Sequence, residues 1–446
     1  MLSVTCCKRL GEIVGEGNLT LSPVLNGRWP GAPPKSIVRP ADREQVCEVL
    51  RFAYAERLSV AAAGSMTKQR LGGPPRETDI LLSLERLNRI TDYQAADLTV
   101  SVHAGVRMTE LAAALRRENQ MLPLDPPFGA EATIGGVLAT NGSGPRRLAY
   151  GAARDMVLGM HFVTADGRLA KSGGKVVKNV AGYDVAKLLI GSLGTLGIIM
   201  DVTCKAFPIP PASATLLCGF ESAAQALSAA RRILHSPFAP QALDLLDREA
   251  WSLLPEASLA GAAYVLAVGT AGPGPVVERM ARDIPALVQS DHPADMARIA
   301  GQEESNLWSR IQELTPSFLQ ARAEGVVIKS SVVITAVEEA VTSARLAALD
   351  AGLACATLAR AGSGIVYSYI WPETAAPDTL VHCCDLLVRQ TEQAGGRAIV
   401  EWAPENVKQR TNIWGAQRDD FPLMRGLKAE FDPYGILNPG RFYGGI

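Results

Sequence analysis

Three short stretches combine glycine with small or hydroxyl-bearing residues in a way that could do chemistry: "AAGSMTKQRLGG" (Ala62–Gly73), "TIGGVLATNGSG" (Thr133–Gly144) and "GSLGTLG" (Gly191–Gly197). Glycine in the interior of a helix or strand costs roughly 0.5–1 kcal/mol relative to alanine. The segment Lys175–Ile199, among the most apolar of the chain, nevertheless carries Gly182, Gly191, Gly194 and Gly197. Such glycines mark places where another chain segment or a ligand approaches the backbone closely. Singly, each stretch is weak. None reads G-x-G-x-x-G followed by an acidic residue at the dinucleotide spacing, and "SGGKVV" lacks the rest of a phosphate-binding P-loop. Together, beside Ser65, Thr67, Thr133, Ser192 and Thr195, they point to backbone N–H groups facing a phosphate-bearing ligand.

The elements that must position these loops read as α+β. "KSIVRPAD", the amphipathic "REQVCEVLRFAYAERL" and "SVAAAG" give strand, helix, strand. Two further strands and a helix over 107–120 follow. The Pro- and Gly-rich residues 121–146 read as irregular backbone, and Asp166-Gly167 as a hairpin turn between strands. The prolines of "TCKAFPIPP" mark a boundary near residue 210. Beyond it, Ala-rich amphipathic helices alternate with strands, which suggests an antiparallel sheet covered by helices on one face. Residues 280–325 fit that alternation poorly. The expected division is a lead segment 1–34, a ligand-binding domain 35–210, an α+β cap domain 211–410 and a C-terminal segment 411–446 that returns to the first domain.

Composition excludes several classes. The chain has 446 residues, 48% hydrophobic and 20% charged, with 44 Lys+Arg against 45 Asp+Glu, so no global basic field attracts nucleic acid or an anionic membrane. Eight cysteines occur without any C-x-x-C, so local spacing builds neither a zinc ribbon nor an iron–sulfur site. The first twenty residues hold no apolar run of signal-peptide length, and the apolar "AAYVLAVGT" reads as a buried strand. The expectation is a cytoplasmic protein, membrane-associated only through partners.

The order of motifs resembles the FAD-binding domain of the vanillyl-alcohol oxidase/p-cresol methylhydroxylase superfamily, and more closely the FAD-binding subunit of three-subunit bacterial glycolate oxidases. The resemblance rests on "LDPPFGAEATIGGVLATNGSGPRRLAYGAARDMVLGMHFVTADGR", on "SGGKVVKNVAGYDVAKLLIGSLGTLGII" and on the C-terminal "NIWG…LMRGLKAEFDPYGILNPGRF". It implies a two-subdomain FAD-binding domain followed by an α+β cap with an antiparallel sheet. It also implies noncovalent FAD, held by Gly64, Ser65, Met66 and Thr67 at the pyrophosphate. Thr133, Ile134, Gly135 and Gly136 would lie against the ribityl chain and isoalloxazine, with Asn141 and Gly142 completing that stretch. Gly191, Ser192, Gly194, Thr195, Gly197 and Ile198 would lie near the adenosine end, where relatives usually carry Glu in place of Leu193. The turn-rich tail would bring Asn438 and Arg441 to the same site.

The cap departs from the pattern of flavin hydroxy-acid dehydrogenases. Where those carry H-A-G-D-G-N-L-H and E-H-G, this chain reads Arg360-Ala361-Gly362-Ser363-Gly364-Ile365-Val366-Tyr367 and Glu401-Trp402-Ala403. With both histidines gone, no metal site of that kind is expected. The remaining candidates for catalysis are Arg360, Tyr367 and Glu401. Arg360 admits two readings, a binder of substrate carboxylate or a partner in a structural ion pair. Lys175 and Lys178 admit phosphate contact or simple solvation. His103 is read as a core or surface histidine, and His382-Cys383-Cys384 as a surface histidine beside core thiols. The resemblance implies a subunit of a 2-hydroxy-acid oxidoreductase, partnered by a sister FAD-linked catalytic subunit and an iron–sulfur subunit. The alternatives are a self-sufficient dehydrogenase and a scaffold with structural FAD.

Overall fold

The computed structural model describes residues 2–25, 27–175, 182–254, 259, 261–373 and 377–446. Lys178 lies outside them. The chain forms two compact units: residues 1–143, 152–209 and 417–446, and residues 144–151 with 210–416.

The first unit begins with a four-stranded sheet of β1 (Leu19–Leu21), β2 (Ser36–Val38), β3 (Val60–Ala63) and β4 (Ile80–Ser83), in the order β1-β2-β4-β3. β2 and β3 both run parallel to β4. The helix Arg43–Glu56 makes the crossover. It starts where Asp42 accepts from the Gln45 amide at 2.9 Å and the Gln45 side chain accepts from the Ala41 amide at 2.7 Å, a reciprocal cap. Val46, Val49, Leu50 and Ala53 form its buried face, at the three-to-four spacing of a core-facing stripe. A second, antiparallel sheet holds β5 (Ile90–Gln94), β6 (Thr99–His103), β8 (Val157–Val163), β9 (Leu169–Gly173) and β10 (Ile198–Lys205), in the order β5-β6-β10-β8-β9; β7 (Gln120–Met121) pairs separately with β11 (Phe207–Pro208). Asp166-Gly167 forms the β8–β9 turn, with Gly167 at φ +78°. Residues 121–146 are more regular than their composition implies: Ile134–Ala139 is a helix whose N-cap is Thr133.

The second unit is built on one eight-stranded sheet, antiparallel throughout. Its strands are β12 (Ala212–Phe220), β13 (Ala242–Asp247), β14 (Tyr264–Gly272), β15 (Asp295–Ile299), β16 (Val326–Ser331), β17 (Ala354–Arg360), β18 (Ile365–Trp371) and β19 (Arg397–Trp402), in the order β15-β12-β14-β13-β17-β18-β16-β19. Helices Ala223–Leu234, Gly274–Val288, Val337–Asp350 and Pro377–Gln393 pack their apolar faces on Leu243, Leu245, Ala359, Val366, Ile328 and Val400. The buried strand expected over "AAYVLAVGT" is β14.

The expectation of helices on one face only is overturned. Residues 280–325 supply the edge strand β15 and two helices, Gly301–Gln312 and Leu314–Ala321, that cover part of the opposite face. Beside the buried Leu307, Ile311 and Leu314, their contacts include polar and aromatic pairs. Trp308 donates to Thr215 Oγ1 at 2.7 Å, buried Glu304 accepts from Ser213 and Thr215, and Thr315 meets the Tyr369 hydroxyl at 3.0 Å. Phe318 packs on Tyr369 with ring centroids 5.2 Å apart. Glu304, Trp308 and Thr315 place polar groups among the apolar positions Leu307, Ile311, Leu314 and Phe318, which is why this sequence reads as an excursion.

Candidate functional site

At the carboxyl ends of the parallel strands β3 and β4, the first unit opens a groove with about 400 Å³ of empty space, part of it continuous with solvent. Ligand sites of open α/β sheets favour this end of the strands. Apart from Leu84, Thr133, Ile198 and Ile199, every lining residue is glycine or alanine. Gly64, Thr133, Gly135, Gly136, Gly194, Gly197 and Ile198 line it, so the structure brings all three glycine-bearing stretches to one place.

The other sequence candidates support this groove from behind or lie beside it. Ile134 is fully buried in the core. Ser65 accepts from Arg28 at 3.4 Å through its carbonyl, and Met66, at φ +58°, packs against the apolar cluster of Trp29, Ile37 and Leu81. Thr67 lies in the turn that follows. Buried Ser192 and Thr195 use their hydroxyls on the carbonyls of Leu189 and Ser192, which fixes the backbone of the third stretch. Gly191 donates its amide to Leu138, and Gly142 packs beside Lys68 Nζ. Lys175 forms an ion pair with Asp92 at 2.5 Å instead of facing the groove. His103 is half-buried next to groove-lining Ala104, and burial holds its imidazole below its ordinary pKa. His382 is exposed, while Cys383 and Cys384 are buried.

The opening puzzle, why apolar sequence tolerates so much glycine, has two answers. At Gly194, with φ +72°, a Cβ would lie 2.6 Å from Asn438 Nδ2, so the tail side chain occupies that space. At Gly135 a Cβ would lie 2.7 Å from the Ala104 Cβ and 2.9 Å from its carbonyl oxygen. At both glycines the chain approaches itself closely, and both also line the groove. At Gly136, by contrast, a Cβ would meet only Thr133 Oγ1, at 3.3 Å, and otherwise enter open space.

The C-terminal turns return to the groove's walls. The Asn438 amide donates to Val60 at 2.8 Å and its side chain to Leu193 at 2.8 Å, leaving Asn438 Oδ1 buried and, among the described residues, without a partner. Asn141 Oδ1 is in the same condition. Arg441 bonds Gln69 and the carbonyls of Lys68 and Leu71, and burial pulls its guanidinium pKa down to about 10.

In the second unit the catalytic candidates stand on the sheet face turned away from the four-helix layer, in one row. Arg360 is 6% exposed and forms a buried ion pair with Asp244, directly opposite it on β13. The ion pair is the arrangement the structural reading of Arg360 describes. Its guanidinium also stands 5.9 Å from the Tyr367 ring centre. From β16, the strand on the other side of β18, the Lys329 ammonium also stands 5.9 Å from that ring centre and reaches Glu401 Oε1 at 3.5 Å. The charges of Tyr367 and then Glu401 hold the Lys329 pKa above its ordinary value, against the opposing effect of burial. Sequence reasoning missed Asp244 and Lys329. The available signal was a charge inside a strand-like run: Asp244 stands between Leu243 and Leu245 in "ALDLLD", and Lys329 directly follows Val326–Ile328 in "VVIKSS". Among the described residues no group of three or more His, Cys, Asp or Glu is placed to hold a metal ion.

Breaking a buried pair by removing one partner leaves an uncompensated charge, worth about 3–5 kcal/mol. Asp244→Ala is expected to lower unfolding stability of the second unit by about that amount in a urea titration. Leucine at both 244 and 360 is expected to lose far less.

Comparison with known proteins places these features. Residues 34–173 match the family model "FAD binding domain", and residues 209–442, over half of the chain, match "FAD linked oxidases, C-terminal domain". The chain is 27% identical over 419 residues to the glycolate oxidase subunit GlcD of Bacillus subtilis, covering 92% of this chain and 89% of that protein. It is 37% identical over 182 residues to the glycolate oxidase subunit GlcE of Escherichia coli, 40% of this chain and 51% of that protein. A D-lactate dehydrogenase of Archaeoglobus fulgidus is 29% identical over 417 residues, 91% of this chain and 90% of that protein. Among solved structures, p-cresol methylhydroxylase with substrate bound gives a TM-score of 0.76 at 15% identity, covering 98% of this chain and 96% of that one, a likeness of fold.

The groove fits FAD: small residues admit a long, flat cofactor, and the buried amide oxygens of Asn141 and Asn438 have no hydrogen-bond partner among the described residues. No cysteine, histidine or tyrosine lines it. Acid precipitation is therefore expected to release the flavin into the supernatant, and colour retained by the pellet would refute this. With the C-terminal model spanning more than half its length and the FAD-binding model preceding it, the chain belongs to the FAD-linked oxidases, and FAD is its cofactor.

Proposed function

We infer that the chain is the FAD-holding subunit of a multi-subunit oxidoreductase acting on a small 2-hydroxy acid of the glycolate type. Bound FAD supplies a two-electron acceptor. Its residues for that task are those of the groove, with Gly64, Gly136, Gly194 and Gly197 at the lining and Asn141 and Asn438 beside it. A sister FAD-linked subunit supplies substrate oxidation, and an iron–sulfur subunit carries electrons onward.

The observation that carries this reading is the occupation of the polar row. Removing a hydroxyl proton needs an available base, and fixing a carboxylate needs an available cation. Arg360 is committed to Asp244, and Glu401 is engaged by Lys329. The similarity to both GlcD and GlcE, each a glycolate oxidase subunit by name, supports a shared assembly. One observation favours the second reading, a self-sufficient dehydrogenase: Lys329 and Glu401 bring a cation and a carboxylate together beside Tyr367.

Purification of the native protein tests the proposal. It is expected to co-elute with a second flavoprotein and with a chain carrying an iron–sulfur chromophore. A homogeneous chain oxidising a 2-hydroxy acid alone would overturn it. Among the described residues no helix is long and apolar enough to cross a membrane, so any membrane association is expected to come from the partners.

A further inference from the structure

The groove's two walls come from distant parts of the chain, and one side chain that does not line the groove touches what holds them together. Lys428, on the helix Phe421–Phe431, has a side chain only 12% exposed. Its ammonium has three donors and uses each on a different segment: the Thr195 carbonyl at 2.8 Å, Asp432 Oδ2 at 2.6 Å and the Leu437 carbonyl at 3.1 Å. Thr195 sits between Gly194 and Gly197, which line one wall. Leu437 lies in the tail, where Val60 donates to Ile436 at 2.7 Å and Asn438 to Val60 at 2.8 Å, so the tail pairs with the start of β3, whose Ala62 and Ala63 line the other wall. Asp432 is fully buried and accepts the amides of Ile436 and Leu437 at 3.0 and 2.7 Å, which shapes the turn that carries the tail back.

We propose that Lys428 is a positioning residue of the FAD groove: by tying Thr195 to the tail on β3, it sets the spacing of the two walls without touching the cofactor. This rests on the assignment of FAD to the groove. Burying an ammonium is unfavourable unless every donor is satisfied and a carboxylate accompanies it. Burial does pull the Lys428 pKa below its ordinary value, with Asp432 opposing. A residue needed only to end a helix would not require a carbonyl 233 residues away in sequence.

The test is FAD titration of the apo chain, followed by flavin fluorescence, together with the melting temperature of the apo form. Lys428→Met is expected to weaken FAD binding about tenfold, the worth of one charge-assisted hydrogen bond at the wall. Lys428→Arg keeps the charge beside Asp432 and is expected to recover most of that loss. A Met variant whose melting temperature falls while its FAD dissociation constant stays at the wild-type value has lost stability alone, and overturns the proposal. Should the Met variant not fold, amide hydrogen exchange on the wild-type chain decides. FAD is expected to slow exchange of residues 194–198 and 436–438 together; protection confined to 194–198 overturns the coupling. A wild-type chain that takes up no FAD, by contrast, refutes the groove assignment itself.

Discussion

The isolated chain, loaded with FAD, is expected not to turn over glycolate or lactate with an artificial acceptor. A positioned general base contributes roughly 10²–10⁴-fold to a rate, so its absence or engagement is large enough to see. Of the residues in the polar row, Arg360 is an always-charged cation whose fork is held by Asp244, and Tyr367 is a phenol between two cations. Glu401 is the carboxylate at the far end of the row from Asp244, and Lys329 stands 3.5 Å from it. Activity should appear when the sister flavoprotein and iron–sulfur subunit are added. If the isolated chain reduces its flavin with such an acid, and Glu401→Gln or Lys329→Met stops it, the self-sufficient enzyme is correct and the subunit reading fails.

Gly135→Val is expected to reduce flavin loading by ten- to a hundredfold. The Gly135 amide donates to the Ala104 carbonyl at 2.9 Å, and both residues line the groove. A Cβ 2.7 Å from that of Ala104 cannot be accommodated by a side-chain rotation, because the obstacle includes backbone. Overpacking of this kind costs typically 1–3 kcal/mol, and relief must come by moving the helix Ile134–Ala139 away from the end of β6, which reshapes the groove. Gly426→Ala is the control. It lies in the same unit, and a Cβ there meets nothing within 4 Å. The ratio of flavin to protein absorbance in the purified variants measures both. Undiminished loading in Gly135→Val would show that this contact does not shape the cofactor site.

Local chemistry was legible in the sequence. The apolar spacing of "REQVCEVLRFAYAERL", with Val46, Val49, Leu50 and Ala53 on one face, specifies a helix from neighbours within two or three turns. Asp166-Gly167 specifies a hairpin because only a few residue types take positive φ cheaply. The clustering of three glycine-bearing stretches pointed to one phosphate-bearing ligand, and motif order pointed to FAD. The helix Ile134–Ala139 was hidden because two glycines in six residues argue against helix, and the Thr133 cap with the contact on Ala104 outweighs that propensity.

What only the tertiary structure decided is what each residue meets. Asn438 bonds Leu193 across 245 residues of sequence, and Arg360 finds Asp244 across 116. No local pattern encodes such pairings, since a strand charge fixes which face it occupies but not which strand lies beside it. So the sequence by itself determined that Gly135 and Gly194 need space and that Arg360 and Glu401 are charges on a buried sheet. The fold alone decided that Ala104 and Asn438 fill that space. It decided too that Asp244 neutralises the arginine, and that Lys329 reaches the glutamate, because partners are set by strand order and chain return.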